Sequence, residues 1–227
     1  MGAVTWGVPT PVVDVVRAAE QLRVCVETGT YRGGSTALLA ARFDRVITIE
    51  AGPDLAAAAA ARLGTYPNVE CLCGDSRRLL PEVVRALDEP ALFWLDSHYC
   101  GPETHGARGQ CPVLEEIATV VGAAQPHVLL IDDARLFLAP PPRPLDPAQW
   151  PSIDEICRAI AGGALRRFVA VHDDVILAVP ESCRQSVVDW LVEQATRREV
   201  PRHRRPIAAA GRVVRRLLST GRDGGRA

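Results

Sequence analysis

The sequence contains no lysine, because all 26 of its basic residues are arginine. This absence removes lysine from the candidates for a catalytic base. No apolar run reaches the roughly 18 residues that a membrane-spanning helix needs, and the first residues lack the pattern of a secretory signal. We therefore expect a cytoplasmic protein that does not bind a membrane.

Cysteine pairs with the spacing of a zinc site are also lacking. The seven cysteines are scattered, and Cys71 and Cys73 are separated by one residue with no second pair nearby. Zinc sites usually place about two to four residues between paired cysteines. We expect reduced thiols, buried where they fall in strands, as for Cys25, Cys71 and Cys73.

A large excess of charge of either sign is absent, since the formal net charge is −1. Composition alone therefore does not indicate a protein that binds polyanions. The chain has 227 residues, of which 48% are hydrophobic. This length suits one α/β domain with a large core and is short for two domains.

Short apolar runs alternate along the chain with stretches rich in alanine and leucine, a pattern typical of parallel α/β folds. The segment His172-Asp173-Asp174 lies between the last two runs and favours a tight hairpin. We predict an α/β fold of the doubly wound, Rossmann-like type. Its seven-stranded, mostly parallel sheet has an antiparallel hairpin at one edge and helices on both faces. The predicted strands are residues 23–27, 45–50, 69–73, 91–95, 127–131, 168–171 and 175–179.

The last 30 residues differ in character from the rest. We expect one domain over residues 1–197 and an arginine-rich tail or edge helix over residues 198–227. A solvated surface is one interpretation of this tail, and a patch for an acidic partner, a nucleic acid or a second protomer is the other. No aromatic residues lie among these arginines, which argues against stacking on single-stranded nucleic acid.

Acidic residues stand at the end of every one of the first five predicted strands. Ligands of open α/β sheets bind beyond the carboxyl ends of the strands, so these acids are expected around one crevice. Packing alone does not explain an acid at each position. The five acids are Glu27, Glu50, Asp75, Asp96 and Asp132.

The turn after the first strand, residues 27–34, has the pattern E-x-G-x-x-x-G-G instead of the G-x-G-x-x-G of dinucleotide sites. An acid directly before the turn would repel a phosphate and suits a cation or an amino group. Glu50 lies 21 residues after Gly29, where an acid can accept hydrogen bonds from both ribose hydroxyls. S-adenosylmethionine has a ribose, a positive charge and no phosphate.

Residues 26–36, 47–50 and 74–76 resemble three motifs of the class I S-adenosylmethionine-dependent methyltransferases, and the resemblance covers about residues 20–180. Tyr31 stands where many members have glycine, a variant known in small-molecule O-methyltransferases. The resemblance implies that the first turn contacts the methionine part, Glu50 the ribose, and Asp75 with Ser76 the adenine region. The implied cofactor-binding residues are Glu27, Thr28, Gly29, Thr30, Tyr31, Gly33, Ser35, Glu50, Asp75, Ser76 and Asp96.

The second half, at residues 92–96, 114–116 and 128–133, is similar to the metal-dependent catechol-type O-methyltransferases. That resemblance implies a magnesium ion held by Asp96, Asp132 and Asp133, because carboxylate oxygens suit a hard divalent ion. Alternatively, Asp132 or Asp133 caps the following loop and Asp96 binds only the amino group of the cofactor.

Catechol-type enzymes use a lysine as the base soon after the acid of the fourth strand, and this chain has none. His98 lies two residues after Asp96 and has an ordinary pKa near 6.5, which suits a base at neutral pH. We therefore predict His98 and Asp96 as catalytic residues, with a ligand or structural role as the alternative for His98. His105 is a weaker candidate. Arg135 either orients an anionic acceptor or pairs with the acids.

Residues 97–110 contain several glycines and are either a lid over the acceptor or an ordinary loop. Trp6, Tyr99, Phe137 and Trp150 are candidates for the acceptor pocket, with core packing as the alternative.

The leading hypothesis is a magnesium-assisted transfer of a methyl group to a hydroxyl of a small molecule, such as a specialised metabolite. The alternatives are a metal-independent N-, C- or carboxyl-methyltransferase and a non-catalytic cofactor-binding assembly protein. A nucleic-acid partner is not expected, and the resemblance allows a homodimer.

Overall fold

The computed structural model describes residue 4, residues 7–99 and residues 109–199 of the chain. The chain divides into two compact units, residues 1–190 and residues 191–227. Only residues 191–199 of the second unit are described, and they are helical. Most of the predicted tail at 198–227 lies outside the described residues, so that prediction stays a prediction.

Seven strands form a single sheet in the order β3-β2-β1-β4-β5-β7-β6. The first five strands are parallel, whereas β7 is antiparallel to both β5 and β6. The predicted seven-stranded sheet with an antiparallel edge hairpin is therefore confirmed. The strands are β1 (Val24–Thr28), β2 (Arg45–Glu50), β3 (Val69–Cys73), β4 (Ala91–Leu95), β5 (Val128–Ile131), β6 (Arg167–His172) and β7 (Val175–Pro180).

Helices connect the strands, and their termini follow local sequence rules. Helix α7 begins with a capping box in which Ser152 and Glu155 each bind the other's backbone N–H. Proline stands in the first turn of α1 and α3, where a missing N–H costs nothing. The helices are α1 (Thr10–Glu20), α2 (Gly34–Ala40), α3 (Pro53–Leu63), α4 (Ser76–Ala86), α5 (Val113–Val121), α6 (Ala134–Leu138), α7 (Ile153–Ala161) and α8 (Arg184–Glu199).

The central strands are buried on both faces, as a parallel sheet covered by helices requires. On one face, Val26 and Phe93 pack in the core with Ile117 of α5 and Ile156 of α7. Cys25, which alternates with these strand residues, is buried as well. The predicted burial of all strand cysteines is wrong for Cys73, which is exposed, and Cys71 is only half-buried, because both lie on the edge strand β3.

No helix among the described residues combines the length and the apolar character that crossing a membrane requires. The described cysteines are free thiols.

Candidate active site

Backbone hydrogen bonds continue the parallel ladder one residue beyond the strands and align the segments that follow them. The amide of Gly29 donates to Ile49, that of Asp96 to Thr28 and that of Asp132 to Leu95. The first residues of these loops therefore meet at one edge of the sheet. Strand β1 lies between β2 and β4, and the order of the strands changes direction at this point. Open α/β sheets bind ligands at such a switch point.

A cavity of about 1480 Å³ opens at this edge. Its volume exceeds the roughly 300–1,000 Å³ of an ordinary ligand pocket, so it has room for two small molecules side by side. Most of the predicted site residues line it. These residues are Gly29, Thr30, Tyr31, Ser35, Glu50, Asp75, Ser76, Asp96, His98, Asp132 and Asp133.

The glycine turn between β1 and α2 is shaped by close backbone contacts. Gly29 has a φ of 85°, and a Cβ atom there would lie 2.1 Å from the carbonyl oxygen of Asp96. Only glycine lets the ends of β1 and β4 approach this closely. Gly34 lines the cavity, and a Cβ atom there would meet no atom within 4 Å. The start of α2 therefore presents bare backbone to a ligand.

Glu50 is held rigidly at the end of β2. One carboxylate oxygen accepts the amide of Gly52 at 2.9 Å, and the other accepts the amide of Tyr31 at 2.8 Å. The residue is only 7% exposed, yet its side chain borders the cavity. The Tyr31 amide of the turn is therefore already hydrogen-bonded to an acidic side chain. A bound pyrophosphate would need that amide as a donor, so the arrangement disfavours one.

Glu27 lies beneath the turn rather than in the cavity. One of its oxygens accepts hydrogen bonds from Thr36 at 2.5 Å and Thr48 at 2.6 Å. Complete burial raises its pKa to about 8, although these two hydroxyls oppose the shift. Thr28 and Gly33 likewise do not line the cavity. A direct cofactor contact by these three residues stays a prediction, and a supporting role for Glu27 fits its position.

Asp75 performs two local tasks at the start of α4. Its carboxylate caps the helix by accepting the amide of Arg77 at 3.0 Å and pairs with the Arg77 guanidinium at 2.7 Å. The hydrogen bond from the Arg77 side chain is the largest cause that lowers the pKa of Asp75. The next residue, Ser76, is buried and borders the cavity.

His98 is packed deep in the wall of the cavity. Its Nδ1 atom lies 3.6 Å from a carboxylate oxygen of Asp96 and 3.8 Å from one of Asp133, and its side chain is 1% exposed. The rings of Phe137 and Trp150 pack against the imidazole, with centroids 5.7 Å and 5.5 Å away. Burial lowers the pKa of His98, but the neighbouring carboxylates outweigh it and the net pKa is raised.

The acceptor-pocket candidates divide into three groups. Tyr99 lines the cavity. Phe137 and Trp150 are buried and do not line the cavity. Their rings pack against each other and against the ring of His98. The predicted pocket role of these two side chains is thus replaced by support of the histidine. Trp6, His105 and residues 100–108 of the candidate lid lie outside the described residues.

Asp132, Asp133 and Asp174 form the tightest carboxylate cluster that the described residues contain, with ligand atoms within 4.8 Å of one another. Asp96 is not part of it. Arg135 pairs with Asp133 at 2.6 Å and also with Asp174. Burial is the main reason that the pKa of Asp132 is raised to about 7, and Asp96 and Asp133 add to the shift.

The contacts of this cluster bear on two expectations about the residues after β5. Arg135 pairs with the acids, which is one of its two predicted roles. Asp133 is the residue before α6 and makes no side-chain cap there, whereas Asp132 accepts the amide of Asp133 at 2.8 Å. Asp174 accepts the amide of Arg135 at 2.9 Å. Asp174 comes from the β6–β7 hairpin, and its proximity follows from the antiparallel pairing of β7 with β5.

Glu116 of α5 is a site residue that the sequence pattern did not identify. It is 1% exposed and accepts a hydrogen bond from the Ser97 hydroxyl at 2.6 Å. Its exposed neighbour Glu115 has the same side chain. Helical spacing is the one signal that separates the two, because Glu116 falls in line with the apolar residues Val113, Ile117 and Val120.

Comparisons with known proteins agree with this architecture. No protein-family model and no curated protein matches the chain. The solved structures that are similar to it include three methyltransferases. An O-methyltransferase from Bacillus cereus in complex with S-adenosylhomocysteine is 20% identical with a TM-score of 0.52, and the match covers 77% of this chain and 82% of that one.

The second is a methyltransferase from Podospora anserina bound to S-adenosylhomocysteine, 16% identical with a TM-score of 0.52, covering 74% and 76% of the two chains. The third is an amino pentose methyltransferase from Micromonospora echinaspora bound to S-adenosylmethionine. It is 15% identical with a TM-score of 0.50, covering 75% and 89%. At these identities the likeness shows the fold alone, a Rossmann-like sheet that the chain shares with these three methyltransferases.

Proposed function

We propose that the chain is an S-adenosylmethionine-dependent methyltransferase that transfers a methyl group to a hydroxyl of a small molecule. The observation that carries the proposal is Glu50, whose carboxylate is fixed by two backbone amides at the edge of the cavity. Each of its oxygens keeps a lone pair for a ribose hydroxyl. Its charge on the glycine turn disfavours a dinucleotide and suits a cationic, phosphate-free nucleoside.

The residues present fit this cofactor. Gly34 offers open backbone, Glu50 offers a ribose site, and Ser76 borders the cavity beside the end of β3. When bound, S-adenosylmethionine supplies an electrophilic methyl group on a sulfonium centre. The Bacillus cereus and Podospora anserina structures, whose fold this chain shares, hold the demethylated product of that cofactor, which supports the proposal.

His98 is the proposed general base. Asp96 and Asp133 hold the imidazole in place and raise its pKa, so it binds a proton more strongly than a free histidine does. His98 borders the cavity on the β4–β5 side. Taking the proton of a bound hydroxyl there increases the nucleophilicity of the oxygen, while the walls align it with the methyl group.

A magnesium ion does not fit Asp96, Asp132 and Asp133 in this arrangement. The carboxylate of Asp133 is already paired with Arg135, and His98 faces Asp96 and Asp133. The guanidinium of Arg135 thus supplies positive charge beside the acids where a metal ion was expected. We therefore propose that transfer is metal-independent, and that activity survives exhaustive treatment with EDTA. Loss of activity that returns only on adding Mg²⁺ would contradict this.

Ligand-induced stabilisation tests the proposed cofactor. S-adenosylhomocysteine should raise the melting temperature of the protein in a concentration-dependent manner, and NAD at the same concentrations should not. The reverse result would reject the proposal. Methyl transfer from labelled cofactor to a panel of phenols, amines and carboxylates then separates the hydroxyl acceptor from the alternative acceptors.

A further inference from the structure

Glu116 is a buried carboxylate for which the proposed reaction has no role. It lies in the first turn of α5, and Pro112, the residue before that helix, lines the cavity. A buried acid without a cationic partner is costly, so its retention points to a specific set of hydrogen bonds.

Residues from three parts of the site surround Glu116. Ser97, two residues beyond β4, donates its hydroxyl hydrogen to Glu116 over 2.6 Å. Ser76 at the start of α4 and Thr28 at the end of β1 are close enough to influence its pKa. Burial raises the pKa of Glu116, and these hydroxyls and His98 oppose the shift. The carboxylate therefore lies below the junction of β1, β4 and α4.

The direction of the Ser97 hydrogen bond has a chemical consequence. A hydroxyl has one hydrogen and two lone pairs. The Ser97 hydroxyl donates its hydrogen to Glu116, so this hydrogen points away from the cavity that Ser97 lines. The oxygen then presents only lone pairs to a ligand, and a ligand atom opposite it must be a donor.

We infer that Glu116 is a positioning residue that makes Ser97 a dedicated hydrogen-bond acceptor for an N–H group of the cofactor, such as its ammonium or adenine amino group. The inference rests on the proposed function, since it assigns a role within the same cofactor site. Glu116 itself touches no ligand and acts through Ser97.

Calorimetric titration of S-adenosylhomocysteine into Glu116→Gln tests the inference. Glutamine has the same shape, but its amide can donate to the Ser97 oxygen and turn the serine hydrogen toward the ligand. We expect about tenfold weaker binding than in the wild-type protein. Glu115→Gln is the matched control, because that neighbour is exposed, and it should bind as the wild type does.

A double-mutant cycle separates positioning from general support of the fold. Ser97→Ala should also weaken binding about tenfold, and adding Glu116→Gln to it should cause little further loss. Equal losses from Glu116→Gln with and without Ser97, or wild-type affinity in Glu116→Gln, would overturn the inference.

Two further outcomes are decisive. If Glu116→Gln does not fold, Ser97→Ala alone decides, and unchanged affinity in that variant overturns the role of Ser97. If the wild-type protein does not bind S-adenosylhomocysteine, the proposed function fails and the inference fails with it. Binding by the wild type with no effect of either variant rejects the inference alone.

Discussion

The two halves of the cavity treat their carboxylates differently. On the β1–β2 side, the carboxylates of Glu27 and Glu50 are held by hydroxyls and backbone amides, which are neutral donors. On the β4–β5 side, the carboxylates of Asp96 and Asp133 lie against His98 and Arg135. The charge of Glu50, which borders the cavity, is therefore left for a ligand, whereas the carboxylate of Asp133 is paired with Arg135.

This difference suggests a division of labour. A site with uncompensated negative charge attracts a cationic ligand, which suits a sulfonium cofactor. A site whose acids are bound to a histidine holds a base in a fixed orientation. Cofactor binding is thus predicted on the β1–β2 side of the cavity, and proton transfer on the β4–β5 side.

The largest expected effect concerns the base. His98→Gln should lower the turnover number by roughly 100-fold or more while leaving the affinity for S-adenosylhomocysteine near that of the wild type. His172→Gln is a matched control, since His172 lies in the hairpin and does not line the cavity. Equal turnover in the two variants would remove His98 from the mechanism.

The pH dependence of catalysis sharpens the same assignment. A base must be unprotonated, and the carboxylates raise the pKa of His98 above its ordinary value of 6.5. The value of kcat/KM should therefore rise with pH through a midpoint above 6.5. A pH-independent rate over this range would contradict the assignment.

Removing the guanidinium of Arg135 should make the cluster of Asp132, Asp133 and Asp174 respond to a metal ion. In Arg135→Met, the buried Asp174 and its neighbours lose their partner, so the free energy of unfolding should fall by about 2 kcal/mol. Mg²⁺ should then raise the melting temperature of the variant and not that of the wild type. Denaturant unfolding with and without Mg²⁺ measures both, and equal responses would show that Arg135 does not balance the cluster.

The smallest expected effect concerns Glu27. Its folded-state pKa of about 8 lies above that of an unfolded glutamate, so its contribution to stability is complete at low pH and is lost as the pH rises toward 8. Glu27→Gln should reduce the loss of unfolding free energy between pH 7 and 9 by about 1 kcal/mol. Glu70→Gln, an exposed change on β3, should leave the pH profile unchanged.

Much of this comparison could be predicted from the sequence. The alternation of strands and helices, the hairpin at His172-Asp173-Asp174 and the acids after the strands all follow from local pattern. The position of Glu50 at the end of β2, beside the glycine turn, follows from its spacing to Gly29. These features depend on neighbours in the chain or on adjacent parallel strands, so sequence order is enough.

The features that could not be predicted depend on contacts between distant segments. Asp174 reaches Arg135 only because β7 inserts between β5 and β6. Glu116 lies on α5 and accepts a hydrogen bond from Ser97. The Glu27 side chain lies beneath the glycine turn and accepts from Thr36 and Thr48. Side-chain direction and three-dimensional pairing decide these contacts, and spacing along the chain does not.

The central claim is that the uncompensated half of the cavity binds S-adenosylmethionine through Glu50. Calorimetric titration of S-adenosylhomocysteine into the wild type and Glu50→Ala tests it most directly. We expect binding by the wild type and a loss of about 1.5–3 kcal/mol in the variant, the value of a charge-assisted hydrogen bond. Equal affinities in the two proteins, or no binding by the wild type, would contradict the claim.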